Sequence, residues 1–128
     1  YLSRVGLGLS TLVHVGGDSV IGLSIPDIAT LFEADEETDG IVVFGEIGGS
    51  LEQDAAAYIK DSFTKPVCAL VVGATAPPGK RMGHAGAIIT GEDARAEAKI
   101  RALREAGAII IPTPTDIGAT TKAVLEGG

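Results

Sequence analysis

Cysteine and aromatic residues are scarce in this sequence. Cys68 is the only cysteine among 128 residues, and it lies in an apolar stretch. A single thiol excludes an intramolecular disulfide and a cysteine-rich metal site, so we predict Cys68 to be a core residue. Aromatic residues make up 4% of the chain, whereas 45% of the residues are hydrophobic. This composition indicates a compact fold rich in small and β-branched residues, and the length predicts one domain over residues 1–128.

Basic residues are also few. The chain has 10 lysines and arginines against 17 aspartates and glutamates, which gives a net charge of -7. Such a charge argues against nucleic acid or an anionic membrane as a partner, because both are themselves negatively charged. An anionic ligand therefore needs a local binding site.

Membrane and secretion signals are not found. No apolar segment reaches the length of a membrane span, and the amino terminus lacks the basic, apolar and small-residue order of a signal peptide. We therefore expect a cytoplasmic protein with no membrane partner. The chain opens at Tyr1 without a methionine, and its first ten residues resemble a helix end followed by a glycine loop. This opening predicts a fragment of a longer chain.

Strand and helix signals alternate along the chain. Four short segments, rich in β-branched residues and bounded by glycine or proline, predict strands that are buried on both faces. They are residues 10–15, 40–45, 66–73 and 108–111. The segments predicted as helices are 25–35, 50–62, 93–106 and a last one from Thr115 or Asp116 to Leu125. This alternation predicts an α/β fold, with a parallel sheet and helices on both of its faces.

Two serines mark helix starts. Ser24 with Asp27, and Ser50 with Gln53, have the three-residue spacing of capping boxes. We therefore predict that a helix begins at each serine.

The third helix has one apolar face. Ile100 and Leu103 lie on that face, and the glutamates, arginines and the lysine of the segment are predicted to lie elsewhere on the helix. Gly107 is a natural residue to end this helix.

Three glycine-rich loops follow predicted strands. They are residues 16–22, 45–50 and 74–87. In open parallel sheets, ligands bind outside the carboxyl ends of the strands, so we expect these loops to converge on one edge. The middle loop contains Gly48 and Gly49 before a helix start, and backbone N–H groups there are suited to hold an anion.

His84 is the candidate reactive residue. It is one of only two histidines, and Gly83 and Gly86 beside it allow close approach of backbone and reactants. Glu46, at the end of a predicted strand, is placed to accept a proton from one imidazole nitrogen, which leaves the other nitrogen as a nucleophile. We therefore interpret His84 and Glu46 as one unit. Such an imidazole suits transient acceptance of a phosphoryl group.

Lys80 and Arg81 lie just before the histidine and are candidate phosphate ligands. Each assignment has a simpler alternative. His84 is also explained as a solvated loop residue, and Glu46 as an acid favoured near a helix N-terminus. Lys80 and Arg81 are equally explained as a solvated pair, and the glycines by tight turns alone. A metal site formed by His14, His84 and Asp18 is a further alternative, but their spacing is not typical of metal ligands, so no metal site is predicted.

Four motifs resemble one family. They are "VGGDSVIG" (15–22), "GEIGGSLEQDAAAYI" (45–59), "GKRMGHAGAII" (79–89) and "TPTDIGATTKAVL" (113–125). Together they closely resemble the carboxyl-terminal, flavodoxin-like CoA-ligase domain of the succinyl-CoA synthetase (succinate–CoA ligase) alpha subunit. The resemblance spans nearly the whole chain. It implies a flavodoxin-like fold that lacks its first strand and helix, as well as the amino-terminal CoA-binding domain that precedes them in the family.

The resemblance also implies a function. His84 matches the histidine that is phosphorylated in turnover, and Glu46 matches the glutamate bonded to it. In the family, a carboxylic acid, CoA and Mg-ATP or Mg-GTP are converted to acyl-CoA, nucleoside diphosphate and orthophosphate. No cofactor is tightly bound. The loop that bears the phosphohistidine swings toward an ATP-grasp domain of the beta subunit, which is the implied partner. The fragment alone is then expected neither to bind CoA well nor to catalyse ligation.

One departure from the family pattern leaves the substrate open. After the histidine the family is glycine-rich and has a lysine, whereas this chain has "TGEDARAEAK" (90–99), which places two acids in that region. The identity of the carboxylic acid substrate is therefore left open, with succinate, malate or another acid as the alternatives. His14 has no family role and is interpreted as a structural histidine.

A second hypothesis comes from a different functional class. The chain is a non-catalytic, flavodoxin-like module that provides an assembly surface for an ATP-grasp partner. The presence of both His84 and Glu46 favours the enzymatic hypothesis. Under either hypothesis the missing first strand exposes a sheet edge, so we expect self-association.

Overall fold

A parallel sheet of three strands forms the centre of the computed structural model, which describes residues 1–18 and 20–127. The strands are β1 (Ile41–Glu46), β2 (Val67–Val72) and β3 (Ile109–Ile110). β2 lies in the middle, and both of its neighbours run parallel to it. Ser19, within the predicted 16–22 loop, and Gly128 lie outside the described residues.

Helices cover both faces of the sheet. They are α1 (Ile25–Ala34), α2 (Leu51–Ser62), α3 (Ala96–Glu105) and α4 (Ile117–Glu126). Residues of α1, α2 and α3 share one hydrophobic cluster with alternate residues of β2, whereas Ile117 of α4 belongs to a second cluster with Cys68 and Leu70. Successive side chains of a strand point to opposite faces, so β2 packs against helices on each side. The predicted α/β class, with a parallel sheet between two helical layers, is confirmed.

The central strand explains the burial of the lone cysteine. Residues Val67 to Val71 are all buried, which is the pattern of a strand covered on both faces. Cys68 is 2% exposed, and burial raises the pKa of its thiol. It is a core residue, as predicted.

The predicted strand over residues 10–15 is wrong. This segment has no regular secondary structure, and Leu12 and Val13 in it are exposed. Apolar, β-branched composition favours an extended backbone, but a strand also needs a neighbour that takes its N–H and C=O groups. No strand of residues 1–18 and 20–127 pairs with this segment.

The helix starts are partly as predicted. The Ser24 side chain accepts a hydrogen bond from the Asp27 N–H at 3.3 Å, and Asp27 accepts one from the Ser24 N–H at 2.7 Å, so the first capping box is confirmed. The second is wrong: α2 begins after Ser50, but this side chain makes no capping bond. Gln53 instead donates to the Asp93 carbonyl at 2.6 Å, because that acceptor lies within its reach.

The third helix starts later than predicted. A short 3-10 helix, Glu92–Ala94, precedes α3, which starts at Ala96. The helix ends before Gly107, whose φ of +96° is the left-handed conformation predicted for that position.

β1 is an edge strand of the described sheet. Its pairing with β2 uses one side only, and Phe44 within it is 56% exposed. An exposed edge with an apolar side chain favours pairing with another chain. We therefore expect light scattering to give a mass above the 12.9 kDa of one chain, increasing with concentration. Phe44→Lys is expected to shift the protein toward the monomer, and a monomer at high concentration for the unaltered chain would contradict this expectation.

None of the helices within residues 1–18 and 20–127 combines the length and the apolar character that crossing a bilayer requires.

Candidate functional site

Three glycine loops meet at the carboxyl ends of β1 and β2. A Cβ atom on Gly86 would lie 1.9 Å from the Gly17 carbonyl oxygen, and one on Gly48 would lie 1.9 Å from the Gly86 carbonyl oxygen. Real Cβ atoms do not approach an oxygen so closely, so the three backbones pack as only glycine allows. The three predicted loops therefore converge on one edge of the sheet.

His84 and Glu46 are in direct contact at this edge. Glu46 is the last residue of β1, and its Oε1 lies 2.7 Å from His84 Nε2. Gly17 packs against both, since a Cβ there would lie 3.3 Å from Glu46 Oε1 and from His84 Cε1. The structure thus brings together the two residues that the sequence predicted to act as a unit. Both side chains are 42% exposed and accessible to a reactant.

Backbone geometry favours one tautomer of the imidazole. The Gly86 N–H donates to His84 Nδ1 at 3.2 Å, which requires a lone pair on Nδ1. The neutral ring then carries its proton on Nε2 and donates it to Glu46. Glu46 accordingly fixes the tautomer and leaves Nδ1 as the basic nitrogen.

Asp18 is a second carboxylate at the histidine. Its Oδ1 lies 3.5 Å from His84 Nδ1, on the ring nitrogen opposite to the one that contacts Glu46. Asp18 favours the protonated ring, whereas the Gly86 N–H favours the neutral ring. The imidazole therefore has a suitable partner in each protonation state.

The pKa of His84 is raised above its ordinary value. The hydrogen bond and the charge of Glu46 are the main causes, and Asp18 adds a smaller effect in the same direction. Since only the neutral ring is nucleophilic, the reactive fraction increases as the pH rises through this elevated pKa.

Glu46→Gln is expected to lower the pKa of His84 toward the ordinary value of about 6.5, because the amide keeps a hydrogen bond but has no charge. Asp18→Asn is expected to lower it less, since Asp18 lies farther from the ring. The His84 Cε1–H signal in an NMR pH titration measures both shifts, with His14→Gln to assign the two histidine signals. Equal midpoints in wild type and Glu46→Gln would contradict the assignment of Glu46 as the main cause.

The remaining predicted site residues are placed as follows. Gly83 has a φ of +104° and open space around its Cα, so the turn before His84 requires glycine for its backbone conformation. Lys80 and Arg81 are exposed, and neither side chain forms a hydrogen bond or an ion pair within the described part of the chain. Their role as phosphate ligands stays a prediction.

An open cleft of about 300 Å³ lies at the start of α2. Its lining residues are Gly49, Ser50, Thr90, Gly91, Glu92, Asp93 and Ala94. The amino end of a helix attracts anions, but the two acids on this rim oppose them. The predicted anion-binding role of Gly48 and Gly49 stays a prediction.

No group of three His, Cys, Asp or Glu side chains within residues 1–18 and 20–127 is arranged so that it could hold a metal ion. Asp18 and Glu46 contact opposite nitrogens of the same imidazole, so their carboxylates lie on different sides of the ring.

Sequence reasoning named Asp18 only as part of an alternative metal site, and it assigned no role to Glu52 or Lys99. Asp18 lies in a loop, where no periodicity reveals its contact with His84. Glu52, in the first turn of α2, is buried rather than solvated. Lys99, which the sequence analysis placed away from the apolar face of the third helix, is fully buried. The signal for Lys99 was its spacing, four residues before the buried Leu103 and three after the buried Ala96.

Comparisons with known proteins agree on one family. The family model described as CoA-ligase matches residues 1–109. The chain is 51% identical over 125 residues to the succinate–CoA ligase [ADP-forming] subunit alpha of Aquifex aeolicus, covering 98% of this chain and 41% of that one. It is also 51% identical over 125 residues to subunit alpha 1 of the Archaeoglobus fulgidus enzyme, covering 98% of this chain and 43% of that one. The chain thus spans about two fifths of the length of these relatives.

Solved structures show the same fold. ATP citrate lyase from Methanosaeta concilii, in complex with (3S)-citryl-CoA, superposes with a TM-score of 0.80 at 32% identity. ATP citrate lyase from Methanothrix soehngenii, in complex with citrate and coenzyme A, gives the same TM-score of 0.80 and 32% identity. Each match covers 88% of this chain and 19% of the larger one.

Proposed function

Because this chain belongs to the CoA-ligase family, we propose that residues 1–128 form the phosphohistidine-bearing domain of a succinate–CoA ligase-type acyl-CoA synthetase. The observation that carries the proposal is the 2.7 Å contact between His84 Nε2 and Glu46 Oε1 where the three glycine loops meet. It gives an accessible, oriented imidazole at the sheet edge where ligands bind in such folds.

The proposed reaction has three steps. A neutral nitrogen of His84 attacks the γ-phosphorus of Mg-ATP or Mg-GTP, and the nucleoside diphosphate leaves. A carboxylate oxygen of the acid then attacks the phosphohistidine phosphorus, which frees His84 and forms an acyl phosphate. The CoA thiolate attacks the acyl carbon, a thioester forms, and orthophosphate leaves. Positioning and charge stabilisation provide most of the catalysis in phosphoryl transfer.

Glu46 has two tasks in this scheme. It holds the proton of one ring nitrogen, so that the tautomer is fixed before attack, and it stabilises the positive charge that develops on the ring when the other nitrogen bonds to phosphorus. In the structure the other nitrogen, Nδ1, accepts a hydrogen bond from the Gly86 N–H at 3.2 Å. The incoming phosphoryl group must displace this bond, and Asp18, 3.5 Å from the same nitrogen, repels it. Phosphorylation is therefore proposed to require movement of the 74–87 loop away from Asp18.

The relatives support the proposed partner and substrates. They are alpha subunits of succinate–CoA ligases, which supports a second, beta-type subunit as partner. We propose that this partner is of the ATP-grasp type and that the complex is cytoplasmic. Succinate in those names, and citrate in a solved structure, support a small di- or tricarboxylic acid as substrate. CoA and the nucleotide are substrates of the complete enzyme rather than resident cofactors of this domain.

Thioester formation tests the proposal. The full-length parent chain is assembled with its beta-type partner and incubated with CoA, Mg-ATP or Mg-GTP, and in turn succinate, malate or citrate. We expect acyl-CoA from at least one acid, in equal amount to the nucleoside diphosphate released. An assembled, folded complex that forms no thioester with any acid would contradict the proposal and favour the non-catalytic assembly module.

A further inference from the structure

A buried ion pair lies behind the candidate site. Lys99 of α3 is fully buried, Glu52 of α2 is 6% exposed, and the Lys99 ammonium donates to Glu52 Oε2. Lys99 Nζ also donates to the Gly49 carbonyl oxygen at 3.1 Å. Two helices are thus joined to the loop that follows β1.

The second oxygen of Glu52 contacts the residue that orients the histidine. Glu52 Oε1 accepts a hydrogen bond from the Glu46 backbone N–H at 3.0 Å. Gly45 makes this approach possible, because a Cβ there would lie 2.7 Å from Glu52 Cγ and 2.9 Å from Glu52 Oε1. Both carboxylate oxygens of Glu52 are therefore bonded.

Stability alone does not account for this arrangement. Burying two charges has a large desolvation cost, and well-packed apolar residues often replace a buried ion pair without loss of stability. If an apolar pair replaced the two residues, the Glu46 N–H would lose its hydrogen-bond acceptor. A buried N–H group without an acceptor is costly. The ion pair therefore provides something that an apolar pair does not, namely the hydrogen bond between the Glu46 N–H and Glu52.

We propose that Lys99 and Glu52 are positioning residues that hold the backbone at Glu46 and Gly49, so that the Glu46 carboxylate is aimed at His84. The proposal rests on the proposed function for its catalytic consequence. The contacts run from Lys99 through Glu52 to the Glu46 N–H, and from the Glu46 side chain to His84 Nε2. Neither residue touches the histidine, so both act through Glu46.

Two double variants separate the hydrogen bond from the ion pair. Lys99→Met/Glu52→Gln removes both charges but keeps an amide oxygen that accepts from the Glu46 N–H. Lys99→Met/Glu52→Leu removes the charges and the acceptor. The variants differ at residue 52 only, where the glutamine amide keeps the acceptor that leucine lacks, and both are made in the full-length parent chain within its complex.

The NMR titration midpoint of His84 is the first measurement, because a purely structural role would not move it. We expect the Gln variant, which loses Lys99 but keeps the acceptor, to shift the midpoint slightly to lower pH. The Leu variant is expected to shift it further, because the Glu46 carboxylate is then no longer held toward His84. The second measurement is the rate of phosphorylation by Mg-ATP or Mg-GTP. It is expected to fall about 10- to 100-fold in the Leu variant, by analogy with the loss of a hydrogen bond that orients a metal ligand.

Unchanged midpoints in a folded Leu variant would overturn the proposal. If that variant does not fold, Gly45→Ala serves instead, since its methyl group displaces Glu52 without removing a charge. Gly45→Ala is expected to shift the His84 titration midpoint to lower pH, and an unchanged midpoint would also overturn the proposal. If the wild-type complex takes up no phosphate, the proposed function fails, whereas the titration still decides whether Glu52 and Lys99 position Glu46.

Discussion

Replacing His84 by asparagine is expected to abolish phosphorylation of the complete enzyme and to reduce acyl-CoA formation by more than about 10⁴-fold. Asparagine has an amide group that still forms hydrogen bonds, but it has no basic nitrogen that attacks phosphorus. The substitution therefore removes the nucleophile while leaving a hydrogen-bonding side chain in the exposed loop. Incorporation of the labelled γ-phosphate and thioester formation measure the two losses.

The second histidine provides a matched control. His14 is exposed and lies in the segment before the 16–22 loop. His14→Asn is the same chemical change and is expected to leave both activities at wild-type level. Substantial thioester formation by His84→Asn would show that the reaction does not pass through this residue, and equal losses in both variants would point to unfolding.

Replacing Gly86 by alanine is the change with the second largest expected effect. The new methyl carbon would meet the Gly17 carbonyl oxygen at 1.9 Å and His84 Cε1 at 3.3 Å. Because the obstacle is backbone, a loop must move, and the contact between His84 and Glu46 is lost. We expect phosphorylation to fall at least about 100-fold, since a small misplacement of reacting groups has such effects. We also expect the free energy of unfolding to fall by about 1–3 kcal/mol.

Two other glycines of the same region give a graded comparison. Gly83 has open space around it but a φ of +104°, so Gly83→Ala is expected to cost only backbone strain of about 1–2 kcal/mol. Gly91 has open space and an extended φ of -172°, so Gly91→Ala is expected to be neutral. Urea unfolding and phosphate uptake of the three variants check this order. A Gly86→Ala enzyme as active as Gly91→Ala would contradict the packing of the three loops.

The sequence correctly predicted the elements whose own residues carry the signal for their structure. β2 is an apolar, β-branched segment covered on both faces, and α1 begins at a serine with an aspartate three residues on. Those signals lie within the segment itself, and the structure confirms both. The strand expected at residues 10–15 was wrong because a strand depends on a neighbour, which its own composition does not report.

The candidate site was predictable only in part. The position of Glu46 at a strand end, and of His84 among glycines in a loop after the next strand, was enough to predict that the two meet. The contacts of Asp18 and Glu52 were not predictable in this way, because each depends on the side-chain position of a residue elsewhere in the fold. Lys99 was missed for another reason: it was placed off the apolar face because it is charged, although its helical spacing put it on the buried face.

Direct location of the phosphoryl group on His84 is the measurement that tests the central claim. The complete enzyme is incubated with labelled Mg-ATP or Mg-GTP without the carboxylic acid and is digested with trypsin. Cleavage after Arg81 and Arg95 isolates residues 82–95, which contain one histidine and one threonine. We predict one phosphoryl group on this peptide, on His84, labile in acid, stable in base and released when the acid and CoA are added. Label that resists acid, or that lies outside residues 82–95, would contradict the account.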